Sequence, residues 1–206
     1  MIPNIIHMIW IGDKRFPFYD NLRVWKLLNP NYKIKLWVDD NLPVLQNQKE
    51  YDFLTNITAK TDLLRLEILY QFGGIYTDVD TICLHSIRPQ IKGMTCFGMT
   101  GLKGNVANGF LGCMKNHPAF KEIIDKVPSH FKVLANSEKK DIFALYNITG
   151  TRYITPILRK YNDFKQLPRT FFCDFPEVTH ETTIAHIAYG YNKGHKKINM
   201  KGYLEK

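Results

Sequence analysis

No stretch of this chain leaves fewer options open than residues 58–84, TAKTDLLRLEILYQFGGIYTDVDTICL. In its first half Leu63, Leu66, Leu69, Tyr70 and Phe72 recur at threes and fours, the spacing of one helical face, and Gly73 supplies a terminating residue. The second half is apolar and β-branched, and predicts a strand over IYTDVDTICL directly after the glycines. A helix feeding straight into a buried strand is half of a parallel α/β unit. Ligands of such sheets bind outside the carboxyl ends of the strands, where Asp78 and Asp80 fall. In extended backbone Tyr76, Asp78 and Asp80 point to one side, and Ile75, Thr77 and Val79 to the other. Two carboxylates ~4 Å apart repel by roughly 4 kcal/mol at an effective dielectric near 20. The pair therefore needs water on both groups, a shared proton, or a divalent cation between them.

The rest of the chain keeps the same rhythm. Residues 2–12, IPNIIHMIWIG, read as a buried first strand closed by Gly12, with His7 as a satisfied core residue. Residues 18–30 place Leu22, Trp25 and Leu28 at helical spacing and stop at Pro30. In YKIKLWVDD, Ile34, Leu36 and Val38 alternate on one strand face. Further apolar segments follow at 94–99, 108–114, 164–175 and 183–191, with helices near 119–127 and 151–161. The expectation is an α/β fold with a mostly parallel central sheet flanked by helices.

With 206 residues, 45% hydrophobic and 23% charged, the chain reads as one soluble globular domain. No apolar stretch approaches the roughly 20 residues of a membrane helix, and the N-terminus lacks the basic start of a signal peptide. Four cysteines without paired metal spacing point to a reducing cytosol, hence a cytoplasmic protein, soluble or peripherally attached to a membrane. The formal charge of +9 implies an anionic partner: nucleic acid, a membrane surface or a phosphorylated small molecule. Part of it sits in a basic tail, with Lys193, Lys196, Lys197, Lys201 and Lys206 against Glu205.

On the long helix Asp62 and Arg65 lie three apart and share a face. They read either as a surface ion pair worth less than ~1 kcal/mol, or as a guanidinium fork and a carboxylate aimed together at a ligand's phosphate and hydroxyls.

IPNIIHMIWIG, AKTDLLRLEILYQFGGIYTDVD and TIAHIAYGYNKG stand in the order and spacing of glycosyltransferase family 32, which the chain resembles from residue 2 to about 194. That family includes initiating mannosyltransferases of the Golgi, bacterial capsule enzymes and viral relatives, and is distantly similar to the glucosyltransferase domain of large clostridial toxins. The resemblance implies a GT-A fold, a nucleotide-sugar donor, a divalent cation (Mn2+, or Mg2+) and transfer with retention of anomeric configuration. It places Trp10 where the nucleobase stacks, Asp62 and Arg65 at the donor sugar and its phosphate side, and Tyr76 beside the nucleotide. Asp78 and Asp80 become the metal motif, and His186 a further ligand. In HIAYGY, Gly190 stands where the family has serine and Tyr191 where it has tryptophan. Asn108 falls where the acceptor side begins. Lys193, between glycines 190 and 194, is a candidate to close over the phosphates. Residues 1–90 would form the nucleotide-sugar half and 91–206 the acceptor half of a single catalytic domain. A metal held by a neutral imidazole would lose affinity as pH falls through about 6.5.

Two other functions fit single features. DVDT resembles the Asp-x-Asp start of haloacid-dehalogenase phosphatases, which also need a later acidic pair; the acids after Asp80 are scattered (Glu122, Asp125, Glu138, Asp141, Asp163, Asp174). Charge alone would suit a nucleic-acid-binding module, yet no such motif is present. The reading is a transferase taking a UDP-sugar in preference to GDP-mannose. Its acceptor would be a glycan, a glycolipid or a protein, with no nucleic acid partner and with peripheral membrane contact through the basic tail.

Overall fold

The computed structural model describes residues 1–12, 15–135, 149–174 and 177–187. Among these, the chain runs β1 (Ile5–Ile9), α1 (Tyr19–Leu28), β2 (Lys33–Trp37), α2 (Gln48–Phe53), α3 (Ile57–Phe72), β3 (Gly74–Thr77), β4 (Thr81–Cys83), α4 (Arg88–Ile91), β5 (Cys96–Thr100), β6 (Val106–Cys113), α5 (Pro118–Ala135), α6 (Thr151–Leu158), β7 (Phe164–Leu167), β8 (Phe172–Asp174) and β9 (Ile184–His186). A six-stranded sheet has the order β2-β1-β3-β6-β5-β7. Its β1–β2, β1–β3 and β5–β7 pairs are parallel, and β6 runs against both of its neighbours. The mostly parallel sheet expected from the alternating elements is therefore present, with one reversed strand in it.

Both faces of the sheet are covered, as parallel strands require. On one face, Leu63, Leu66 and Leu69 of α3 pack with Ile123 and Ile124 of α5, Ile154 of α6 and the sheet residues Tyr76 and Leu111. On the other, Trp25 of α1 packs with Ile6, Met8, Ile75 and Phe110, and with Phe172 and Ile184. Helix α3 begins at Asn56, whose side chain accepts from the Ala59 N–H, and ends at Gly73 with φ 64°, a conformation costly to a residue bearing a Cβ. Although its apolar residues recur at the spacing of one face, α3 is buried all round from Asp62 to Leu69, because α5 closes the side away from the sheet. Its buried Glu67 is held by the N–H groups of Gln46 and Asn47 and by the Asn47 amide.

His7 is the core residue expected. The Trp37 indole donates to its Nδ1 at 3.1 Å, so Nε2 carries the proton and donates to the Gly73 carbonyl at 2.8 Å. Burial lowers its pKa to about 4.

One expectation fails in an informative way. IYTDVDTICL is not one strand: it breaks after Thr77, and β4 leaves for a second sheet of order β4-β9-β8. The Thr81 hydroxyl donates to the Asp78 carbonyl at 2.6 Å and closes a turn over residues 78–81. The two aspartates therefore lie in a turn between two sheets, not along one strand face.

Candidate active site

The carboxyl edge of the larger sheet gathers the side chains. Strands β1 and β3 are parallel, so Trp10 and Asp78, each one residue past its strand, leave the sheet at the same edge. Antiparallel β6 brings Asn108 and Gly109 to that edge, where the Asp78 N–H donates to the Gly109 carbonyl at 3.1 Å. A Cβ on Gly109 would lie 2.7 Å from Asp78 Oδ2, so only glycine lets the carboxylate settle here.

Arg65, 5% exposed, is the hub. Its Nη2 lies 3.1 Å from Asp62 Oδ1, and its Nη1 donates to the Asn108 carbonyl at 2.6 Å and lies 3.4 Å from Asp78 Oδ1. The guanidinium stacks over the Tyr76 ring, 4.4 Å from its centroid. Asn108 Nδ2 donates to Asp62 Oδ1 at 2.7 Å, and the Tyr76 hydroxyl to Asp78 Oδ1 at 2.6 Å. The Asp62–Arg65 pair is thus no surface ion pair. It is a buried girder whose hydrogen bonds hold Asn108 and whose guanidinium ion-pairs with the first motif aspartate.

Burial pushes Asp62 up to about 7, with Arg65 opposing and Asp78 adding to the rise. Burial raises Asp78 too, again against Arg65 and with Asp80 adding. For Arg65 burial disfavours the charge, but Tyr76, Asp78, Asp62 and Asp80 outweigh it and raise its pKa.

Asp80 meets the smaller sheet. Strand β9 lies between β4 and β8, so His186 sits beside Thr81 on one side and Asp174 on the other. Its Nε2 is 3.4 Å from Asp80 Oδ1, and its Nδ1 is 2.8 Å from Asp174 Oδ1. Burial alone would lower His186, but the hydrogen bonds to Asp174 and Asp80 and the charges of Asp80 and Asp78 raise it to about 10. The proton that a metal would have to displace is thus held well above neutrality, so the loss of metal affinity expected on acidification would begin near pH 10 instead of near 6.5.

One ligand atom from each of Asp78, Asp80 and His186 lies within 4.8 Å of the others. Two carboxylates with an imidazole form a mixed oxygen and nitrogen set that suits Mn2+ better than Ca2+, and fits Mg2+ less well through its nitrogen. Trp10 packs edge-on against Phe16 and Phe18, and its buried indole N–H has no hydrogen-bond partner among the described residues. Lys193 and the basic tail lie outside the described residues. Two participants carry no mark in the sequence. Asp174 is one acid among several scattered ones, and its pairing with His186 comes only from β8–β9 register; Gly109 gives no sign of what it must admit.

A two-faced sheet with a reversed strand, and an Asp-x-Asp turn at its carboxyl edge, defines the GT-A type of nucleotide-sugar-binding α/β sandwich. The solved PaToxG glycosyltransferase has this fold, with a TM-score of 0.61 at 20% identity over 77% of this chain and 68% of its own. Residues 18–97 match the family described as the glycosyltransferase sugar-binding region containing DXD motif. An uncharacterized glycosyltransferase of Acanthamoeba polyphaga mimivirus is 30% identical over 178 residues, 78% of this chain and 66% of the relative. Inositol phosphoceramide mannosyltransferase 3 of Schizosaccharomyces pombe is 27% identical over 134 residues, 62% of this chain and 37% of the relative. The chain belongs to this family of DXD-containing glycosyltransferases, and it spans about two thirds or less of the length of these relatives.

Proposed function

We propose that the chain is a metal-dependent, retaining hexosyltransferase that moves a sugar from a nucleotide-sugar donor to a glycan, lipid-linked or protein acceptor. The observation that carries this reading is the Asp78–Asp80–His186 cluster, at the carboxyl edge of a sheet in a chain of this family. Asp78, Asp80 and His186 would hold Mn2+ (or Mg2+), which when bound supplies the Lewis acid for the diphosphate charge that develops on the leaving group. Arg65 keeps the Asp78 carboxylate aimed and screens the acid cluster with a permanent positive charge. Asp62 and Asn108 line the donor sugar's side, with Asn108 also facing the acceptor. Trp10 offers its ring to the nucleobase, Tyr76 borders the nucleotide, and Lys193 adds a cation for the phosphates. Residues 1–90 serve the donor and 91–206 the acceptor, within one catalytic domain.

The first reading of the donor is a UDP-sugar. A second, GDP-mannose, is favoured by the mannosyltransferase names of the fungal relatives. No helix among the described residues is long and apolar enough to cross a membrane, and a lipid-linked acceptor would be met peripherally, with the basic tail attracted to anionic headgroups.

The test is a thermal-shift series with UDP-glucose, UDP-galactose, UDP-N-acetylglucosamine and GDP-mannose, each with and without Mn2+. A donor at 100 times its dissociation constant stabilises by about 2.7 kcal/mol, which is roughly 5–10 °C in Tm for a chain of this size. The shift should require Mn2+ and vanish in Asp80→Asn. Equal shifts in excess chelator would remove the metal from the reading, and no shift with any donor would remove the transferase reading itself.

A further inference from the structure

We propose that Asp174 is a positioning residue: it fixes the tautomer and ring direction of His186, so that Nε2 is the nitrogen turned toward Asp78 and Asp80. The inference rests on the reading of those three residues as metal ligands.

Strands β8 and β9 are parallel, with Asp174 registered opposite His186, which sets the two side chains on the same side of the small sheet. Asp174 Oδ1 is 2.8 Å from His186 Nδ1. An ionised carboxylate only accepts, so Nδ1 carries the proton and donates. The other ring nitrogen then belongs to the cluster, with Nε2 3.4 Å from Asp80 Oδ1. The two nitrogens of an imidazole diverge, so Asp174 holds the outer one and shares no ion with the inner one.

The backbone supports the same direction. The Ile187 N–H donates to the Asp80 carbonyl at 2.9 Å, and Thr81 pairs with His186 across β4–β9. The segment carrying the histidine is thus tied to the Asp-x-Asp turn on one side and to Asp174 on the other. The Phe172 ring lies beside the imidazole, with centroids 5.5 Å apart, and limits its swing. A ligating histidine whose second nitrogen lacks such an acceptor samples both tautomers and both ring orientations, and partners of this kind are commonly worth 10–100-fold in metal affinity.

The experiment titrates Mn2+ alone into wild type, Asp174→Ala, Asp174→Asn, His186→Ala and the double variant Asp174→Ala/His186→Ala. Free Mn2+ is read by its EPR signal, and metal-free Tm is measured for each protein. Asp174→Ala should raise the Mn2+ dissociation constant by about 10-fold or more and move the metal-free Tm little, because the Asp174 side chain is 57% exposed. Asp174→Asn keeps an acceptor oxygen and should recover most of the affinity. In the His186→Ala background, removing Asp174 should change nothing further, the signature of two residues acting through one contact. Wild-type affinity in Asp174→Ala, or an equal loss with and without His186, would overturn the proposal. Should the alanine variant fold poorly by far-UV circular dichroism, Asp174→Leu, which also lacks an acceptor, carries the same two comparisons. Two further outcomes fail at the underlying reading: no Mn2+ binding by wild type removes the metal site, and wild-type affinity in His186→Ala removes that ligand. Either overturns the role of Asp174 as well.

Discussion

Asp78 and Asp80 are two like charges with different neighbours. Asp78 faces Arg65 and the Tyr76 hydroxyl, and Asp80 faces His186. Their mutual repulsion is therefore answered by cations from α3 and β9, and a metal would add to a cluster already partly compensated. Arg65 matters most to that balance. Arg65→Ala would strand Asp62 as a buried carboxylate and take the neighbouring cation from the partly exposed Asp78, and should cost about 3–5 kcal/mol in denaturant unfolding without ligand. A loss under ~1 kcal/mol would return the pair to the class of surface ion pairs. Two histidines give opposite pH signatures. His7 titrates near 4 when folded against 6.5 when free. Its contribution is complete above pH 6.5 and is lost as pH falls through 4, about 3 kcal/mol in all. Unfolding from pH 7 to 4 should show that loss in wild type and a shallower one in His7→Gln. His186, raised to about 10, contributes fully below pH 6.5 and loses its contribution as pH rises toward 10. Since Mn2+ must displace that proton, metal affinity should climb about tenfold per pH unit between 6 and 8.5. Calorimetry in buffers of different ionisation enthalpy would read the released proton directly, and no buffer dependence would mean that His186 does not ligate.

At the scale of elements, the site is the place where a strand stops. β3 ends at Thr77 because the Thr81 hydroxyl captures the Asp78 carbonyl, and the chain then crosses to the smaller sheet. Helix α3 and strand β6 hold this turn from two sides, Arg65 by charge and Gly109 by absence of a side chain. Gly109→Ala tests the second. Its Cβ would meet Asp78 Oδ2 at 2.7 Å, and the displaced carboxylate should weaken Mn2+ binding, with about 1–3 kcal/mol lost to overpacking. Unchanged metal affinity in that variant would show that the turn can retreat without loss. Helices α1, α3, α5 and α6, most strand positions and the Gly73 terminus are legible in the sequence, because periodicity and Gly or Pro signals are local, whereas the short α2 and α4 and the Asn56 cap are not. The break at Asp78 is not. Its cause is a side chain-to-backbone bond across three residues, inside a run whose composition still says strand.

For the whole molecule, the donor-dependent rise of roughly 5–10 °C in Tm is the prediction that gathers the rest. It requires both sheets to be clamped through one ligand, since Asp78 leaves the larger sheet and His186 belongs to the smaller. A shift that persists at full size in His186→Ala would mean that the smaller sheet takes no part. The sequence by itself determined the layered α/β architecture, the covered sheet faces, the Asp-x-Asp position on the carboxyl side of the sheet and the pairing of Asp62 with Arg65. All of these follow from spacings within about twenty residues, where backbone geometry alone decides which side chains meet. Only the tertiary structure decided that the pair is buried, that Asn108 and Gly109 complete its surroundings, and that Asp174 stands behind His186. Those contacts join residues 43, 46 and 31 positions apart or register two short strands. Their energies come from desolvation and from partners that no local pattern encodes, so they exist only once the sheets have formed.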